Sequence, residues 1–153
     1  MRPRAAALAD RVFDALRHRE AFAVTAGTRA ADFESLDGHT YLLLVTFRRN
    51  GDAVPTPVWF GRDRDRLYVK TAGASGKVTR VWREPRVLVA ASTGRGRPVG
   101  PVIDATARIL PPDDWPHAEA VLRDAYGAGR RLSERVVGGL EEPAYLEIRP
   151  RPG

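Results

Sequence analysis

The densest run of groups able to do chemistry is Leu67-Tyr68-Val69-Lys70-Thr71, then three residues, Ser75-Gly76-Lys77, then two, and Arg80. Thr71 and Ser75 supply hydroxyls, Gly76 allows close approach to the backbone, and Lys77 and Arg80 bring charge to the start of a short helix. Backbone N–H groups and the helix dipole favour an anion at such an end. The same residues also suit a serine cap followed by two solvated cations. The spacing is not that of a Walker loop, which needs Gly-x4-Gly-Lys-Ser/Thr.

Charge is concentrated around this run. The chain of 153 residues has a formal charge of +6, and of its 25 basic residues only Lys70 and Lys77 are lysines. Residues 37–110 carry 13 basic and 6 acidic side chains, whereas residues 111–153 carry 6 and 8. The basic excess therefore sits in the middle, where an anionic ligand is expected.

Other constellations are weaker. Cysteine is absent, which excludes disulfides, thiolate zinc sites and cysteine nucleophiles. His18, His39 and His117 lack ligand-like spacing, so no metal site is expected. Asp113-Asp114 and Glu141-Glu142 read as a helix start and a solvated turn rather than an acid–base pair. Trp59 is a candidate to stack near a ligand, while Trp82 and Trp115 read as packing residues. Arg95 and Arg97 suit either a ligand tail or a solvated turn. Aromatics interleaved with basic residues form no recognised nucleic-acid motif, and nucleic acid is not an expected partner. No residue stands out as a catalytic acid.

The elements that must carry these groups follow from periodicity. Ala5, Leu8, Ala9, Val12, Phe13 and Leu16 recur at helical spacing. Residues 24–38 show no period and read as a connection. Thr40 to Phe47, then Ala53 to Phe60, read as strands joined at Asn50-Gly51, the preferred chemistry of a two-residue hairpin. Pro55 and Pro57 cannot donate to a ladder, so one side of that strand should lack a regular partner. A turn at 62–65 leads to a strand over Arg66 to Thr71, and a helix follows over Lys77 to Arg83. Strands are expected over Arg86 to Ser92, Val102 to Leu110 and Ala144 to Ile148. Between the last two, Trp115, Ala118, Leu122 and Tyr126 mark one helix, and Arg130 to Val137 a second. The fold class is mainly β with peripheral helices (α+β), a six-stranded antiparallel barrel. Residues 1–38 form an N-terminal helix and connection and residues 39–153 the barrel, a single structural domain overall. No apolar run approaches a membrane span, and the first residues lack the apolar centre of a secretory signal. The expectation is a cytoplasmic protein with no membrane partner.

Several of these motifs in order resemble the flavin/deazaflavin oxidoreductases of the pyridoxamine 5′-phosphate oxidase-like superfamily, nearest the branch that uses coenzyme F420. They are Thr46 to Phe60, Arg66 to Val69, Ser75-Gly76-Lys77-Val78, Pro85-Arg86-Val87 and Gly96-Arg97-Pro98, with an echo in Tyr145 to Pro150. The resemblance implies a split β-barrel of the FMN-binding-protein type, in a homodimer with cofactor at the subunit interface. It implies that Val54, Pro55, Thr56, Pro57, Val58 and Trp59 run beside the tricyclic ring. Thr71, Ser75, Gly76 and Lys77 would hold the phosphate, with Arg80 added and Lys70 serving the phosphate or a tail. The paired basic residues of true pyridoxamine phosphate oxidases are replaced by Thr56-Pro57-Val58-Trp59-Phe60, which points away from pyridoxal chemistry. The implied activity is F420-dependent hydride transfer to or from a small molecule. The alternatives are an FMN-dependent oxidoreductase of the same fold and a non-catalytic carrier or sensor.

Overall fold

The computed structural model describes residues 24–137 and 142–152, with side chains of the second helix given as far as Tyr126. Among the described residues, eight strands and two α-helices make up the fold. The strands are β1 (Arg29–Ala30), β2 (Tyr41–Phe47), β3 (Ala53–Trp59), β4 (Gly61–Asp63), β5 (Arg66–Ala72), β6 (Arg86–Ser92), β7 (Val102–Ile109) and β8 (Pro143–Pro150). The helices are α1 (Gly76–Arg83) and α2 (Trp115–Val137).

One sheet runs in the order β3-β2-β6-β7-β8-β5-β4. Its two end strands, β3 and β4, are consecutive in the chain and separated by Phe60 alone. A sheet whose opposite end strands are joined by one residue must curl to bring them together at Phe60, although β3 and β4 form no ladder with each other. Pairing is antiparallel along the whole path, and β1 pairs parallel with the start of β7.

Side-chain alternation assigns the faces. Leu42 and Leu44 of β2, Leu67 and Val69 of β5, Val87 and Val89 of β6, and Leu146 and Ile148 of β8 fill the interior, where Phe33, Leu36 and Phe60 join them. The intervening Leu43, Val45, Leu88 and Ala90 are also buried, in a second cluster with Val24 and Val102 on the other face. α2 covers the outer side of β5 and β8, placing Ala118 and Leu122 against Tyr68 and Tyr145. That is the stripe its sequence spacing predicts.

Four expectations are corrected. The sheet has eight strands rather than six, because β1 and β4, two and three residues long, are too short for alternation to show. The helical segments after Pro112 form the single helix α2. Asn50-Gly51 does not make a two-residue hairpin. Phe47 pairs with Ala53, Gly51 alone takes a positive φ of 89°, and the Asn50 side chain accepts the Asp52 N–H at 3.0 Å. The two-residue turn lies instead at Arg64-Asp65, between the paired Asp63 and Arg66. Trp82, expected to pack, is 80% exposed, whereas Trp115 stacks on Tyr145 with centroids 5.3 Å apart. The helix expected over Ala5 to Leu16, and His18, lie outside the described residues. No described helix is long and apolar enough to cross a membrane.

Candidate functional site

The site is built where α1 lies across the end of the barrel at which β2 and β5 finish. Val81 of α1 enters the interior core. Lys77 precedes it by four residues and so shares its face, which explains why this lysine is buried. Thr71 has the parity of Leu67 and Val69 and therefore faces inward too. Its hydroxyl donates to Ser75 Oγ at 3.4 Å. Ser75 occupies the N-cap position of α1 without a side-chain capping bond, and the first turn contains no acidic residue. A simple serine cap thus does not describe its hydroxyl.

Arg80 links this helix to the β2–β3 hairpin. Its Nε donates to Thr46 Oγ1 at 2.6 Å, and Arg83 donates to the Phe47 carbonyl at 2.8 Å. Thr46 is fully buried and pairs across the ladder with Val54. Thr56, opposite Leu44, shares the inward face and is also buried. Among the described residues, four of the six buried polar or charged side chains, Thr46, Thr56, Ser75 and Lys77, fall in this one region. Buried polar groups are costly unless something satisfies them, so this clustering marks a place where polar chemistry is concentrated.

β3 supplies the second half. Among the described residues it ends the strand path and is laddered only to β2. That ladder runs unbroken from Tyr41↔Trp59 to Phe47↔Ala53, so Pro55 and Pro57 must occupy positions whose nitrogens face away from β2. The open edge there presents carbonyl acceptors and no N–H. Side chains divide by parity: Val54, Thr56 and Val58 face inward, while Pro55, Pro57 and Trp59 face outward. Trp59 sits in an aromatic row, edge-on to Tyr41 with centroids 6.2 Å apart and tilted 30° on Tyr126 at 5.0 Å.

The structure thus gathers Thr71, Ser75, Gly76, Lys77 and Arg80 at one end and, through Thr46, sets Val54 opposite them, with Thr56 the next inward residue along β3. Lys70 is separated from that group. It projects to the outer face under α2, 3.6 Å from Glu119 Oε2 and over the Tyr145 ring. Tyr145 also donates its hydroxyl to Glu119, and burial followed by this carboxylate raises the Tyr145 pKa. Arg97 lies in a turn closed by the Thr93 hydroxyl. His117 meets Asp63 at 3.1 Å, and the described residues contain no cluster of metal-ligating side chains.

Sequence reasoning missed Thr46, Glu119 and Tyr126. Thr46 had a signal, as the one polar residue in the run Tyr41 to Phe47. Glu119 had none, and Tyr126 showed only as part of the α2 stripe, since their partners are distant in the chain.

No protein-family model matches this chain, and no curated protein matches it. Solved structures do. The heme storage protein HutZ from Vibrio cholerae superposes with a TM-score of 0.60 at 15% identity, over 78% of this chain and 87% of that one. A FAD-binding protein from Mesorhizobium loti gives 0.57 at 15% identity, over 77% and 84%. An F420 reductase gives 0.51 at 17% identity, over 80% and 94%. At such identities the likeness shows a shared fold: a mostly antiparallel half-barrel with two helices, consistent with the pyridoxamine 5′-phosphate oxidase-like split barrel.

Proposed function

We propose that the protein is an oxidoreductase that binds coenzyme F420 and exchanges hydride with a small molecule, as a cytoplasmic homodimer. The observation that carries the reading is the Arg80–Thr46 hydrogen bond. It brings the hydroxyl-and-cation end of α1 against the hairpin whose outer strand has an open edge.

The donor set fits the cofactor's parts. Thr71, Ser75 and Lys77, with the start of α1, suit a phosphate, for which hydroxyls and a buried ammonium are matched donors. The carbonyls of Pro55 and Pro57 suit a ring edge that carries an N–H. Thr56 and Val58 back that edge from inside, and Trp59 offers an aromatic face at its end. When bound, the deazaflavin supplies the hydride chemistry. The chain's own work is to hold the phosphate, orient the ring along β3 and keep water from it.

The F420 reductase among the structural neighbours supports this choice, as does the basic excess of residues 37–110, which suits a long anionic tail. A second reading is FMN binding, or a carrier or sensor without turnover. The FAD-binding and heme storage neighbours favour keeping it. Titration of the purified protein with F420 and with FMN, followed by ligand fluorescence, tests the assignment. F420 should bind in the micromolar range and more tightly than FMN; binding of neither removes the cofactor claim. Reoxidation of bound reduced F420 by quinones, enones or tetrapyrroles then separates enzyme from carrier.

A further inference from the structure

We propose that Tyr126 of α2 is a positioning residue for the ligand edge of β3: its hydroxyl ties down the Phe60 bend and its ring sets the pose of Trp59. The proposal rests on the ligand lying along β3, as argued above.

The need for such a residue comes from the topology. Phe60 is the single residue joining the two ends of the sheet. At this bend its peptide groups leave the β3 ladder, so they require partners from elsewhere. Tyr126 supplies them. Its hydroxyl accepts the Phe60 N–H and faces the carbonyls of Phe60 and, at 3.0 Å, Thr40. One side chain therefore touches the residues beside both Trp59 and Tyr41, the pair that closes the β2–β3 ladder.

The ring of Tyr126 acts in the same place. It lies 5.0 Å from the Trp59 ring at 30°, and Trp59 in turn meets Tyr41 edge-on. α2 is itself held against the bend, because Gly61 packs so closely that an added Cβ would stand 2.9 Å from the Val121 carbonyl oxygen. His117, one turn before Val121, meets Asp63 of β4. The helix is thus registered on the seam at three points, and Tyr126 is the one that reaches the strand edge. Misplacing a positioning group by about 1 Å is enough to weaken a site.

The test uses the full chain labelled with 5-fluorotryptophan, whose three resonances are assigned by Trp→Phe changes. Tyr126→Leu should shift the Trp59 resonance and leave those of Trp82 and Trp115 in place. Tyr126→Phe keeps the ring and should hold the Trp59 resonance near its wild-type position, while the Phe60 amide exchanges about tenfold faster for want of the hydroxyl. F420 or FMN affinity should fall about tenfold in Tyr126→Leu and be largely rescued in Tyr126→Phe. An unmoved Trp59 resonance in Tyr126→Leu, or unchanged Phe60 exchange in Tyr126→Phe, overturns the proposal. If Tyr126→Leu does not fold, Phe60 exchange in Tyr126→Phe decides alone. Both spectroscopic readings are taken without ligand, so a wild-type protein that binds neither cofactor defeats the functional reading and leaves this one standing or falling by itself.

Discussion

Lys70 and Thr71 are adjacent in the chain and lie on opposite faces of the sheet. Thr71 faces the barrel end with Ser75, while Lys70 pairs with Glu119 under α2. The chain has only these two lysines, Lys70 and Lys77, so each can be tested for the role that its face allows. Lys77→Ala should weaken F420 or FMN by about 1.5–3 kcal/mol, the worth of a hydrogen bond to a charged group. Lys70→Ala should change affinity by less than about 0.5 kcal/mol, as expected of a site outside the ligand's reach. Fluorescence titration of both variants checks the contrast; equal losses would show that Lys70 reaches the ligand after all.

Thr46 is fully buried and accepts Arg80. Thr46→Val preserves shape and removes the acceptor, so the guanidinium loses a partner at the barrel end. The expected cost is about 1.5–3 kcal/mol in urea denaturation. Ligand affinity should fall with it, because Arg80 no longer ties α1 to the hairpin. Full stability in the valine variant would mean that the contact contributes nothing.

Glu147 is 3% exposed and collects three donors: the Tyr68 hydroxyl at 3.1 Å and the Nε atoms of Arg108 and Arg149 at 3.0 Å each. Burial acts to raise its pKa, but the hydrogen bonds from Arg108, Tyr68 and Arg149 outweigh it and hold the carboxyl below its ordinary value. The folded state therefore binds this proton less readily than the unfolded chain does. The stabilisation is complete above the ordinary glutamate pKa and is lost as pH falls through the depressed native value. Glu147→Gln should cost about 1.5–3 kcal/mol at neutral pH and make stability fall less steeply across that acid window. Urea midpoints measured from neutral to acid pH for both proteins check the slope.

Gly61 tests the seam between β4 and α2. A Cβ there would stand 2.9 Å from the Val121 carbonyl oxygen and 3.1 Å from its Cγ1. The nearest atom is helix backbone, which cannot rotate aside. Gly61→Ala should destabilise by about 1–3 kcal/mol through overpacking, read as a lower urea midpoint. An unchanged midpoint would show that α2 shifts at little cost.

Much of the fold was legible because its signals are local. Tyr41 to Phe47 and Arg86 to Ser92 are rich in β-formers, and the structure places strands over both. The Trp115, Ala118, Leu122 and Tyr126 stripe marked the covering face of α2 in the same way. β1 and β4 escaped because two or three residues carry no period, and Asn50-Gly51 misled because the Asn50 side chain captures the Asp52 N–H instead. Trp82 shows the limit of type-based burial: an indole in a helix predicts packing, but the inward face of α1 is occupied by Lys77 and Val81.

The sequence by itself determined the residue types and order of the candidate site: a polar, basic run entering a short helix, and a strand with two prolines that donate nothing to that edge. Those properties are local, set by side-chain chemistry and by the absence of a proline N–H. Only the tertiary structure decided which groups meet. It sent Lys70 away from Thr71, brought Arg80 to Thr46 and carried Tyr126 to Phe60. These are contacts between distant segments, fixed when the sheet closes on itself at one residue, and no local period encodes them.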